Sequence, residues 1–277
     1  MLSYRHGFHA GNPADVLKHL VLSLTLEALG KKDKPFFVLE THAGAGAYDL
    51  QSDFAQKNRE HEAGIGRVLK ETSLPPGLET YVGAVRSFNP KGRLTVYPGA
   101  PLLIQRATRP QDRMVFSELH PAESKVLNHR VGDDPRVSVL AQDGYSLLKS
   151  LLPPIERRGL VHIDPAYERS DETRQLVKGV AAGIRRWESG VFLIWYPILK
   201  RWSSERLVED LCRLTDRPKL VAELMTDPSN DHGLRGSGVL IINPAWQVDQ
   251  QLIGSLPWLA DLFSSDGRGL GRVELLA

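Results

Sequence analysis

Cysteine is nearly absent from the 277-residue chain, where Cys212 stands alone. One thiol excludes an internal disulfide and a zinc site built on cysteines. Cys212 reads as a semi-buried small residue in a reducing compartment. Long apolar runs are missing too. The longest are strand-sized, which excludes a membrane-spanning helix. The first residues lack the basic-then-apolar order of a signal peptide, because Arg5, Asp15 and Lys18 interrupt them. No charge predominates, with 35 Lys and Arg against 33 Asp and Glu and a net charge of +2. The pI is near 8.6. Without a histone-like excess, any surface for nucleic acid must be local. No repeat or low-complexity tract interrupts the chain. No H-E-x-x-H or comparable spacing links its histidines, so no metal is expected. These absences predict a cytoplasmic protein with no membrane partner.

What is present suits a packed core, with 42% hydrophobic and 25% charged residues. Leu17, Leu20, Val21, Leu24 and Ala28 recur at helical spacing and predict a helix over residues 13–29. Asn12 can cap it, Pro13 takes the first position, and Gly30 follows its end. Strand-sized apolar segments fall at 35–40, 114–118, 137–140, 159–164, 191–196, 219–224 and 238–243. Helix-sized segments near 170–186 and 203–214 separate some of them. The alternation predicts an α/β doubly wound sheet within one domain over residues 1–277. Residues 49–93 break the rhythm. They are charged, broadly helical and punctuated by Leu74-Pro75-Pro76-Gly77 and Asn89-Pro90-Lys91-Gly92. They read as a helical insertion after the first strand.

Acids recur at strand ends. Glu118 closes the second strand, Asp143 follows the third, and Asp164 ends the fourth. Ligands of an open α/β sheet sit outside the carboxyl ends of its strands, so topology would bring these acids together. The first strand runs into Thr41-His42-Ala43-Gly44-Ala45-Gly46. This turn has G-x-G, but Asp49 stands where the dinucleotide fingerprint needs a third glycine. Taken alone it fits a tight turn as well as a cofactor site.

Asp164-Pro165-Ala166-Tyr167 directly follows an apolar strand. An exocyclic adenine amine is a poor nucleophile, because its lone pair is delocalised into the ring. A catalyst must accept both amine hydrogens so that the nitrogen can pyramidalise. The Asp164 carboxylate can take one. The Pro165 carbonyl, held by the fixed proline dihedral, can take the other. Tyr167 can stack on the base. A strand-to-loop stop made of turn-forming residues is the competing explanation. Basic residues cluster at Arg157-Arg158, Arg185-Arg186-Trp187 and Lys200-Arg201-Trp202. They fit solvated faces, or a phosphate track beside stacking aromatics.

Asp164-Pro165-Ala166-Tyr167 is similar to the D-P-P-Y motif of amino-methyltransferases. Three longer stretches resemble the bacterial 23S rRNA adenine-N6 methyltransferases of the RlmJ family. They are Leu2-Ser3-Tyr4-Arg5-His6-Gly7-Phe8-His9-Ala10-Gly11-Asn12, Asp15-Val16-Leu17-Lys18-His19, and Glu40-Thr41-His42-Ala43-Gly44-Ala45-Gly46. Tyr97-Pro98-Gly99, Glu118-Leu119-His120-Pro121, Asp143-Gly144, Trp195-Tyr196-Pro197 and Asn243-Pro244 extend the resemblance over nearly the whole chain.

The resemblance implies a class I methyltransferase fold, with a mostly parallel seven-stranded sheet, helices on both faces and the helical insertion. It implies S-adenosylmethionine as methyl donor and 23S rRNA as partner, before or early in ribosome assembly, with a monomer as the acting form. His19, His42, Gly44, Gly46, Glu118, Asp143 and Gly144 then fall at the cofactor, Glu118 on its ribose hydroxyls. Lys18 is a partner for the cofactor carboxylate. Asp164, Pro165 and Tyr167 are catalytic, and Tyr4, His6 and Tyr167 meet the substrate. Two positions depart from the pattern. Ala100 replaces a serine of the cofactor pocket. Ala166 replaces the second proline, loosening the loop by about 0.4–1 kcal/mol. The competing functions are a DNA adenine methyltransferase and a non-catalytic DNA-binding protein linked to use of external DNA. A dinucleotide-dependent oxidoreductase leaves Asp164 to Tyr167 unexplained.

Overall fold

In a computed structural model of the chain, the described residues are 6–199, 204–228, 233–264 and 266–276. The first long element is helix α1, Pro13–Gly30. The Asn12 side chain accepts the Asp15 amide hydrogen at 2.9 Å, and Pro13 needs no donor at the first position. Leucines and valines bury most of α1, together with Asp15, Lys18 and His19. A helix buried on nearly all sides must partner its polar side chains internally.

Eight strands form the main sheet: β1 Phe37–Glu40, β2 Arg113–Ser117, β3 Val137–Leu140, β4 Gly159–Ile163, β5 Val191–Leu199, β6 Lys219–Met225, β7 Leu234–Ile242 and β8 Leu270–Leu276. Across the sheet their order is β8-β6-β7-β5-β4-β1-β2-β3. From β3 to β5 all pairings are parallel. β7 runs antiparallel between β5 and β6, and β8 adds an antiparallel edge on β6. The seven segments read from sequence are all strands, and β8 is an eighth. Its Arg272 and Glu274 alternate with apolar residues on an exposed edge, so it carries no continuous apolar run.

Each strand's alternation divides its side chains between two cores. Val38, Leu160, Leu193, Val239 and Ile241 pack under α1 and the helix Val248–Phe263. Phe37, Leu39, Val161, Ile163, Phe192 and Leu240 pack under the helices Gly144–Ser150, Glu172–Arg186 and Ser204–Cys212. Between β1 and β2 lie five short α-helices, the longest Glu79–Ser87, and a ribbon of Ala47–Asp49 with Val96–Pro98. Tyr81 and Tyr97 from this segment are fully buried beside α1, their hydroxyls 2.9 Å apart.

Two basic clusters lie away from the carboxyl edge of the sheet. Arg158 precedes β4 and donates to the Lys34 carbonyl at 2.8 Å and to that of Leu29. Arg186 precedes β5 and donates to the Leu152 carbonyl at 2.7 Å, while Trp187 is buried. Parallel strands begin at the edge opposite the ligand cleft, so these residues are structural there. The third cluster, at 200–202, lies outside the described residues.

Candidate active site

Because β1 to β4 are parallel and adjacent, the turns after them meet at one edge. A cleft of about 1130 Å³, its open mouth included, lies there. Glu118, Asp143, Gly144 and Asp164 line it from three successive turns, with His42 and Gly44 from the glycine turn. Lys18 and His19 from α1, His6, and Ala100 complete the expected residues found on its wall. Gly46, Pro165 and Tyr167 do not line it, and Tyr4 lies outside the described residues.

The glycine turn depends on its backbone. Gly44 and Gly46 have φ of +58° and +81°, a region that favours glycine. A Cβ on Gly44 would lie 2.4 Å from the Tyr48 hydroxyl. The Gly44 amide donates to Glu118 Oε2 at 2.8 Å, and the His120 amide donates to Oε1 at 2.7 Å. Both oxygens are thus held, each with a lone pair to spare. Burial pushes the Glu118 pKa up. Asp143 caps the helix Gly144–Ser150 through the Ser146 amide at 3.1 Å. A Cβ on Gly144 would come within 2.2 Å of the Thr41 carbonyl oxygen.

Burial keeps two of the cleft histidines, His19 and His42, neutral. His19 Nδ1 lies 2.7 Å from the Tyr97 hydroxyl, and burial pushes its pKa well down. His42 Nδ1 lies 2.8 Å from Thr41 Oγ1, and burial pushes its pKa down to about 4. In both rings Nε2 has no hydrogen-bond partner among the described residues.

A ladder of charges runs inward from the mouth. His6 Nε2 lies 2.9 Å from Asp15 Oδ2, which also accepts the Gly11 amide at 2.8 Å. Lys18 Nζ donates to Asp15 Oδ1 at 2.8 Å and to Asp164 Oδ2 at 2.5 Å. Burial opposes the charge on Lys18, but these two carboxylates outweigh it and hold its pKa well above the lysine range. Burial likewise opposes the charge on Asp15, and His6 and Lys18 hold its pKa well down. The Lys18 ammonium, expected at the cofactor carboxylate, is held between two acids of the protein.

Beyond Asp164 a second cavity opens, of about 900 Å³ with its mouth. It shares His6, Lys18, Asp164 and Ala166 with the cleft and has Pro165 and Trp195 on its wall. Asp164 Oδ1 and the Pro165 carbonyl accept no hydrogen bond from the described residues. Tyr167 has a φ of +53°, a conformation that costs energy for a side chain of its size. Its hydroxyl donates to the Trp195 carbonyl at 2.7 Å. The aromatic ring presented to this cavity is therefore Trp195. Its indole Nε1 is buried without a partner among the described residues.

Sequence reasoning missed four residues at or beside the site. Asp15 stands three residues before Lys18 on a helix of apolar neighbours, a signal of internal pairing. Glu40 and His162 are register partners on β1 and β4, buried with Oε2 and Nδ1 2.5 Å apart. Only strand pairing reveals them. Trp195 stood among the family matches without a role. Among the described residues no group of three or more His, Cys, Asp or Glu is placed to hold a metal ion.

The strand order, with its antiparallel β7 inserted beside β6, and the glycine turn facing acids of three later turns define a class I methyltransferase. A family model described as "Ribosomal RNA large subunit methyltransferase D, RlmJ" matches residues 33–276. The chain belongs to this family. It is 44% identical over 275 residues to "Ribosomal RNA large subunit methyltransferase J" of Escherichia coli (strain K12), covering 99% of this chain and 98% of that one. Its identity to the protein of the same name from Haemophilus influenzae is 42% over 276 residues, with the same coverage. A crystal structure of a Legionella pneumophila protein superposes with a TM-score of 0.90 at 34% identity, covering 96% of this chain and 98% of that one.

The fold and family imply S-adenosylmethionine as methyl donor. The residues present fit it. Glu118, anchored through both oxygens, keeps acceptor capacity for a vicinal diol. The neutral His19 and His42 rings leave Nε2 for polar contacts in the cleft.

Proposed function

We propose that the chain transfers a methyl group from S-adenosylmethionine to the N6 amine of an adenine in 23S rRNA. One observation carries the reading. Asp164 Oδ1 and the Pro165 carbonyl are two acceptors in one loop that take no hydrogen bond from the described residues, where the cofactor cleft meets a second cavity. An exocyclic amine has two hydrogens to give, and the second cavity offers it an entrance.

S-adenosylmethionine supplies an electrophilic methyl carbon when bound. Glu118, His19, His42, Asp143 and Gly144 hold it against the glycine turn. Asp164 Oδ1 and the Pro165 carbonyl each accept one N6 hydrogen and localise the lone pair on nitrogen. That pair is what would take the methyl carbon from the donor's sulfur. The proton then passes from N6 to Asp164. An ordinary carboxylate suffices for this, because the methylated nitrogen is strongly acidic. Lys18 fixes the orientation of the carboxylate. Trp195 offers the base a stacking wall and an indole N–H donor, with Tyr167 bracing it from behind. His6 meets the substrate at the mouth.

The target base must leave its stack to enter, which favours rRNA before or early in subunit assembly. The protein works in the cytoplasm as a monomer, without a metal. The names of the relatives favour rRNA over DNA. The test incubates the protein with labelled S-adenosylmethionine and either protein-free 23S rRNA or duplex DNA. Methyl transfer to rRNA adenine N6, lost in Asp164→Ala, is the expected result. Transfer to DNA alone would refute the substrate, and unchanged transfer by Asp164→Ala would refute the catalytic role.

A further inference from the structure

A third cavity, of about 530 Å³ with its mouth, adjoins the second at the N-terminal end of α1. The two share Asn12, Ala14, Glu60 and Leu234, so a groove continues from Asp164 past the helix end. Ser237 of β7 lines its inner end. Its side chain falls on the α1 face of the sheet, in step with Val239 and Ile241. Ser237 is 1% exposed, and its hydroxyl has no hydrogen-bond partner among the described residues. A buried hydroxyl without a partner is costly, and a ligand group would supply the missing bond.

The remaining wall indicates what that ligand is. Glu60 presents a carboxylate whose Oε1 lies 2.9 Å from His9 Nδ1 and whose Oε2 accepts Asn12 Nδ2 at 3.0 Å. A phosphate would be repelled by this acid. A nucleobase edge has N–H groups for the carboxylate and both donors and acceptors for a hydroxyl and an amide. Leu224, Ala63 and Pro13 give the apolar walls that a base face needs.

We propose that this cavity is a second nucleotide site, which takes the base next to the target adenine, with Ser237 and Glu60 reading its edge. The inference rests on the proposed RNA substrate. It makes target choice depend on a neighbour as well as on the methylated base, because a continuous groove holds consecutive splayed bases together.

The test first maps the adenine methylated in protein-free 23S rRNA. Short RNAs carrying that adenine are then made with either neighbour replaced by an abasic residue. One abasic RNA should lose about tenfold or more in kcat/KM with the unaltered protein. Ser237→Ala should lose roughly fivefold on the intact RNA and almost nothing further on the abasic one. Its Tm should not fall, since the substitution removes an unpartnered buried hydroxyl. Ala63 is exposed, so Ala63→Phe can fill the cavity from outside and should reproduce the loss. Equal methylation of intact and both abasic RNAs would overturn the second site and leave the proposed function standing. So would independent, multiplying losses from Ser237→Ala and the abasic residue. Failure to methylate any RNA would overturn both.

Discussion

Replacing Lys18 by methionine tests whether the charge ladder holds the catalytic carboxylate. The ammonium is buried and sits 2.8 Å from Asp15 and 2.5 Å from Asp164. Methionine keeps the side chain as far as its fourth atom, omits the ammonium, and leaves two acids around an apolar tip. Asp15 retains His6 and the Gly11 amide, so the loss falls mainly on Asp164. Removing one partner of a buried pair costs about 3–5 kcal/mol. At roughly 2–4 °C per kcal/mol for a chain of this size, Tm should fall by about 6–20 °C. The Lys18 pKa is raised in the folded state, so its stabilisation is complete below the unfolded value of 10.5. It is lost only as pH rises through the higher folded value. The gap between Lys18→Met and the unaltered protein should therefore persist from neutral pH to above pH 10.5. Calorimetry of Lys18→Met, Asp15→Asn and the double variant measures the coupling. The double variant should be less damaged than the sum by more than about 1 kcal/mol, because the second change removes a stranded charge. Lys18→Arg should not rescue turnover, because a planar fork cannot take the place of a compact ammonium. A Lys18→Met protein melting within about 2 °C of the unaltered one, or additive effects in the cycle, would refute the reasoning.

Asp164→Ala should lower turnover by roughly 10²–10⁴-fold and leave cofactor affinity within a few-fold, as titration calorimetry can check; parallel losses would make Asp164 a cofactor ligand only. Gly144→Ala should weaken cofactor binding about tenfold or more and lower Tm, since its Cβ would meet the Thr41 carbonyl oxygen at 2.2 Å; unchanged binding would show that the turn yields. Burial holds the folded His42 pKa near 4, below its unfolded value of 6.5. The unfolded chain therefore takes up the proton first, and stability is lost as pH falls from 6.5 towards 4. The contribution is up to about 3 kcal/mol, less where the ring meets solvent in the cleft. Melting of His42→Gln should depend less on pH across that window than melting of the unaltered protein, and identical pH slopes would contradict the assignment.

Much of the fold was legible because strand burial leaves a local mark. Residues 159–164 and 191–196 are apolar runs that only a covered sheet explains, and α1 announced its start with Asn12 and Pro13. β8 escaped because Arg272 and Glu274 face solvent on an edge. The acids Glu118, Asp143 and Asp164 were legible as strand-end residues, since parallel topology sends such residues to one edge. Trp195 and Ser237 were not. Each sits within an apolar strand, and its neighbours across space come from α1 and from segments far along the chain.

By itself the sequence determined the alternation of strands and helices, the glycine turn, and which residue types stand at the strand ends. Covalent order and side-chain periodicity suffice for that. Only the tertiary structure decided that Lys18 lies between Asp15 and Asp164, that Glu40 meets His162, and that Ser237 closes a groove begun at Asn12. Such pairings depend on strand register and on where α1 crosses the sheet. Both are settled by packing two cores against one sheet, over separations that no local pattern records.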